Sequence, residues 1–107
     1  MNIAQAKGAL DLKDILEHLG HEPIQSKSKP FDLWYCSPFY DEHSPSFHIH
    51  IHKNIWYDFK LQRGGDIISF AREYLASRNQ PNMVKDALNW LRPFYNVPAK
   101  PTPSPQP

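Results

Sequence analysis

Trp34-Tyr35-Cys36-Ser37-Pro38-Phe39-Tyr40, Ser44-Pro45-Ser46-Phe47, Trp56-Tyr57-Asp58-Phe59 and Gly64-Gly65-Asp66 follow one another between Trp34 and Asp66, and the order of these blocks decides the fold. Asp32 to Cys36 reads as a strand. Ser37 to Ser46 places Pro38 and Pro45 among Asp, Glu and Ser, which makes it a loop. From Phe47 the chain alternates, with Phe47, Ile49 and Ile51 on one face and His48, His50 and His52 on the other, the period-two pattern of a half-buried strand. Lys53-Asn54 turns it into a second strand, Ile55 to Phe59, through a loop that lacks the glycine of the tightest hairpins.

Outside this stretch the period is helical. Asp11 can cap a short helix carrying Leu12, Ile15, Leu16 and Leu19 on one side, and Gly20 supplies its stop. His21 to Ser28 is polar, contains Pro23 and reads as a connector into an edge strand. Gly64-Gly65 reads as a tight turn and Asp66 as the cap of a helix with Ile67, Phe70, Ala71, Tyr74 and Leu75 on one face. Asn82 can cap another helix, with Val84, Ala87, Leu88 and Leu91 inward and Pro93 at its end. The fold class is therefore α+β: a small antiparallel sheet flanked by an N-terminal helix and two C-terminal helices. Residues 1–96 form the expected domain. Residues 97–107 hold five prolines and form an expected Pro-rich tail or linker.

Composition excludes several classes. With 107 residues, of which 40% are hydrophobic and 21% charged, the chain suits one small domain with a modest core. No apolar run approaches the roughly 20 residues that span a bilayer, and the lone Cys36 makes no internal disulfide, so the expected location is cytoplasmic. A net charge of +1 gives no overall basic field, and any nucleic-acid binding must come from a local patch.

The order of tryptophan-tyrosine, Ser-Pro-Phe, Pro-Ser-Phe, tryptophan-tyrosine and Gly-Gly-Asp-Ile-Ile-Ser-Phe resembles the N-terminal zinc-ribbon (CHC2-type) domain of DnaG-like bacterial primases. The likeness runs from about Asp11 to Leu91. It implies a sheet that contacts single-stranded template, with polymerisation left to a separate Toprim domain that uses carboxylates and magnesium. No Toprim domain fits within this length, so no enzyme is expected here. At the positions where the family pattern has its metal ligands this chain has Ser37, Tyr40, Asp58 and Leu61. Leu61 has no donor atom, so no zinc or other cofactor is expected. In this the chain is similar to the shorter primase-like proteins of Bacteroidetes mobile elements. Since structural zinc is worth roughly 10–16 kcal/mol in finger peptides, something must replace it. The expected substitute is apolar packing of Trp34, Phe39, Tyr40, Trp56, Phe59 and Leu61.

Tyr35, Tyr57, Lys60 and Arg63, with Lys27 and Lys29, are candidates for an aromatic and cationic face that stacks bases and pairs phosphates. His48, His50, His52 and Lys53 are further candidates. The histidine stripe has three readings: solvated polar face, phosphate contact, or metal site with help from Cys36 and His43. The implied partners are single-stranded DNA and, beside it, a primase catalytic domain, a helicase or a mobilisation protein. The alternative function is a protein-interaction module that has lost DNA binding.

Overall fold

The computed structural model describes residues 2–41 and 45–95. Four helices, α1 (Ile3–Ala9), α2 (Leu12–His18), α3 (Ile67–Ser77) and α4 (Val84–Tyr95), accompany four strands, β1 (Asp32–Tyr35), β2 (Phe47–His50), β3 (Ile55–Asp58) and β4 (Arg63–Gly65). The strands pair antiparallel in the order β1-β2-β3-β4. The α+β class holds, with a strand and a helix that the sequence pattern did not reveal. The expected tail at 97–107 lies outside the described residues.

Strand parity separates the two faces of the sheet. Leu33, Tyr35, Phe47, Ile49, Trp56 and Asp58 are buried, and the intervening residues Asp32, Trp34, His48, His50, Ile55 and Tyr57 are half-buried or exposed. The helices therefore cover one face. Their contribution to the shared core includes Ala6, Leu12, Ile15, Leu16, Ile67, Phe70, Ala71, Ala87 and Leu91. At its centre Phe39, Phe47, Trp56 and Phe70 meet with ring centroids 5.3–6.3 Å apart. Such aromatic pairs add about 0.5–1.5 kcal/mol each beyond their buried area.

Helix α1 was hidden because its residues, Ile3 to Ala9, bury only Ala6 and so leave no apolar period. It starts at a capping box, in which Asn2 accepts from the Gln5 N–H while the Gln5 side chain accepts from the Asn2 N–H. Asp11 stands before α2, but its side chain makes no capping bond. The Leu12 N–H donates instead to Asn54 Oδ1 at 2.8 Å, and Asn54 Nδ2 donates to the Leu10 carbonyl at 2.8 Å. Asn54 sits at φ 55 in the β2–β3 turn, so it does the work of the missing glycine and ties the hairpin tip to the α1–α2 junction. That turn begins at Ile51, so His52 lies in it and not on the strand.

Gly64-Gly65 is a strand and not a turn, and Gly20 holds the only positive φ among the described glycines. The reason for glycine is close approach. A Cβ on Gly64 would lie 2.4 Å from the Trp56 carbonyl oxygen, and one on Gly65 would lie 2.0 Å from Ser69 Oγ. Asp66 then caps α3 as expected, accepting from the Ser69 N–H. Burial pushes its carboxyl up, but the Ser69 N–H and the Lys7 ammonium at 3.3 Å outweigh this and hold it below the ordinary range. For α4 the Met83 N–H is met by the Asp86 side chain at 3.0 Å, so Asn82 is not the cap. Pro93 lies inside α4. Beyond it Phe94 packs 5.2 Å from Trp90 of the same helix and 5.9 Å from His18 of α2, so the turn that lacks the proline N–H is held by side-chain contacts.

Candidate nucleic-acid interface

The former ligand positions form a hydrogen-bonded clamp. Asp58 is fully buried. The Tyr40 hydroxyl donates to its carboxyl group, 2.8 Å from Oδ1 and 3.0 Å from Oδ2, and the Lys60 and Leu61 N–H groups donate to Oδ1 at 2.9 and 3.0 Å. Ser46 Oγ lies 3.2 Å from the Tyr40 hydroxyl, and Ser37 Oγ accepts from the Phe39 N–H at 3.0 Å. A buried polar group is tolerated only with partners of this kind. The Asp58 oxygens thus fasten the β3–β4 turn to the loop after β1, the same two segments that a metal would bridge.

This corrects the expectation of a purely apolar plug. Phe39 and Trp56 do pack together, but Trp34 and Phe59 stand on the opposite face of the sheet, and the clamp itself is polar. The residues do not fit zinc: Leu61 offers no donor, and the Asp58 oxygens are already committed to Tyr40 and two backbone N–H groups. Among the described residues no three His, Cys, Asp or Glu side chains come together to hold a metal. His43 lies outside them. A chelator is therefore expected to leave the melting temperature unchanged to within about 1 °C, since the clamp offers no set of metal ligands to be emptied. Thermal scans with and without EDTA check this, and a large drop would mean that a metal holds the chain after all.

The uncovered face carries most of the exposed rings. One row across the sheet pairs Trp34 with His48, His48 with Tyr57 and Tyr57 with Gly64. Trp34 stacks on Phe59 with centroids 5.4 Å apart and planes 12° from parallel, His48 lies 4.9 Å from Trp34, and Tyr57 meets Phe59 edge-on at 4.8 Å. Phe59 is 52% exposed and Tyr57 37%. The Lys27 ammonium sits 4.4 Å from the centre of the Trp34 ring. At the far end of the same face Phe31, 54% exposed, packs against His52 with centroids 4.6 Å apart.

The predicted site residues divide accordingly. Lys27, His48 and Tyr57 belong to the open face, and Lys29 is exposed just before β1. Tyr35 does not belong to it: the ring is buried against the helices, and burial followed by the carboxylates of Glu17 and Asp14 pushes its hydroxyl well above the ordinary phenol range. Arg63 pairs with Glu73 of α3, which places it on the helical side. Lys60 lies exposed with its ammonium 4.8 Å from the centre of the Tyr40 ring, and Lys53 is exposed in the β2–β3 turn. The histidines do not act as one stripe. His48 reaches Asp32, His50 Nδ1 accepts from the Lys53 N–H at 3.2 Å, and His52 is in the turn.

Trp34 and Phe59 are open-face residues that the sequence pattern does not single out for DNA. Ile55-Trp56-Tyr57-Asp58-Phe59 carries its one polar side chain, Asp58, on the buried face, so polarity inverts the apparent parity of β3. Asp32, two residues before Trp34 and on the same side of β1, was the signal that could have assigned Trp34 to the open face.

The chain matches the CHC2 zinc finger family model over residues 1–96. It belongs to that family, the zinc-ribbon part of DnaG-type primases and not their catalytic part. No curated protein matches the chain. This member keeps the ribbon's frame and has exchanged its metal knuckle for the Tyr40–Asp58 clamp. Among the described residues no helix is long and apolar enough to cross a membrane.

Proposed function

We propose that this CHC2-type domain binds single-stranded DNA on the open face of its sheet and serves a primase or a mobile-element replication or transfer system as a non-catalytic module. The observation that carries this reading is the contiguous set of the exposed Tyr57 and Phe59 and the half-buried Trp34, with the Lys27 ammonium over the Trp34 ring. Scattered surface apolar residues are ordinary, but stacked, adjacent rings with a cation at their edge match the platform on which unpaired bases lie. Each stacked base contributes about 1–3 kcal/mol, and lysines that meet phosphates add a salt-dependent share. Lys27, which would give up the Trp34 ring to an incoming base, Lys29 and Lys60 are the cations proposed for that role.

Anisotropy titration of labelled oligonucleotides of about ten nucleotides at low salt tests the proposal. Saturable binding is expected, with a slope of log K against log salt near −2, or about −0.7 for each phosphate met by a lysine. No saturable signal would end the DNA reading. The other reading, a protein-interaction module, draws on the near-neutral charge and on the apolar character of this same face. An apolar protein contact on this face would show little dependence on salt.

A further inference from the structure

The stacking surface contains one polar pair, and its arrangement is directional. Asp32 and Trp34 are both on the open side of β1, and His48 faces Trp34 across the β1–β2 ladder. His48 Nε2 lies 3.3 Å from Asp32 Oδ1. His48 Nδ1 is buried and has no hydrogen-bond partner among the described residues. A proton on Nδ1 would be a buried donor without an acceptor, so the tautomer with its proton on Nε2 is favoured, and that N–H donates to Asp32. The imidazole therefore holds one carboxyl oxygen of Asp32. The other, Oδ2, has no partner among the described residues, and the side chain is 41% exposed.

A carboxylate on a proposed DNA-binding face needs an explanation, because it repels phosphate. Removing the repulsion would be simple at an exposed position, and Lys27 and Lys29 are close by in sequence. What Asp32 offers that a neutral or basic residue would not is a strong acceptor, fixed in direction, beside a ring that packs on Phe59 and carries the Lys27 ammonium, the group whose place a base would take.

We propose that Asp32, oriented by His48, accepts a hydrogen bond from the exocyclic amino group of a base stacked at Trp34, so that the domain prefers cytosine to thymine at that position. The inference rests on the single-stranded DNA reading above. The two pyrimidines stack over similar areas and differ at the edge. Cytosine N4 is a donor with an outward N–H suited to a carboxylate. The one donor of thymine, N3–H, lies between two carbonyl oxygens that repel a carboxylate. An edge contact of this kind discriminates by about 1–3 kcal/mol, and a single bond at a half-exposed site belongs at the low end, which is about fivefold to tenfold in affinity.

The test compares labelled dC and dT decamers, titrated at one fixed low salt concentration, on the full chain and on Asp32→Ala and Asp32→Asn. The unaltered protein is expected to bind dC about fivefold to tenfold tighter than dT. Asp32→Ala should bring the ratio to near one while dT binding holds or strengthens, because a charge that repels phosphate is gone. Asp32→Asn, whose amide can turn either an acceptor or a donor to the base, should bind both decamers about equally. Equal binding of dC and dT by the unaltered protein, or a dC preference that survives Asp32→Ala, overturns the base-reading role and leaves the DNA-binding reading intact. No binding of either decamer overturns both. Circular dichroism and melting of the variants, expected to stay close to the unaltered chain at this half-exposed site, separate a lost contact from a lost fold.

Discussion

Asp58→Ala is expected to destabilise the domain by about 3 kcal/mol, the cost of leaving the Tyr40 hydroxyl and the Lys60 and Leu61 N–H groups without their acceptor. Domains of this size carry about 5–15 kcal/mol in total, so the loss removes a large share of the margin. At about 4–8 °C per kcal/mol for a domain of roughly 60–100 residues, the melting temperature should fall by about 12–24 °C. Asp58→Asn retains an acceptor oxygen of the same shape and should cost about 1 kcal/mol. Tyr40→Phe removes one donor but leaves Asp58 its two backbone partners, and should also cost about 1 kcal/mol. Urea unfolding of the three variants measures the series. If Asp58→Ala cost no more than Tyr40→Phe, the clamp would not be what fastens the former knuckle, and the aromatic cluster of Phe39, Phe47, Trp56 and Phe70 would be carrying it alone.

The second large effect concerns the open face. Trp34→Ala and Phe59→Ala are each expected to weaken single-stranded DNA binding by about 1–3 kcal/mol, roughly fivefold to 150-fold. Their melting temperatures should change little, because neither ring joins the buried core. The two rings stack on each other, so the double variant should lose less than the sum of the single losses. Tyr35→Phe is the contrasting control, since its ring is buried and its binding should be unchanged. Anisotropy titrations of this set decide the matter: variants of Trp34 and Phe59 that bind as tightly as the original chain would remove the platform from the account.

Much of this frame was legible because period and punctuation agreed. The alternation from Phe47, the 3.6 period after Asp66 and the capping role of Asp66 all mapped onto real elements. Two of the misreadings share a physical cause, a residue whose partner lies far along the chain: Asn54 acts at Leu10 and Leu12, and Asp58 acts on Tyr40. Local pattern cannot register such demands. The same holds for the site: Trp34 faces out and Tyr35 in because of what packs on each side of β1, and only Asp32, two residues before Trp34, carries a local trace of it. Likewise Pro93 stops a helix by local rules, yet the packing of Phe94 against Trp90 and His18 keeps α4 going.

The Asn54 bridge has a consequence for how the molecule opens. Its two bonds span 42 and 44 residues of chain, so the β2–β3 turn and the junction of α1 with α2 cannot fray independently. Two regions that a terminus and a hairpin tip would ordinarily surrender first are thereby joined into one cooperative unit, and solvent exchange at the Leu12 amide becomes a gauge of the distant hairpin. A small domain gains by this: its weakest parts hold each other closed.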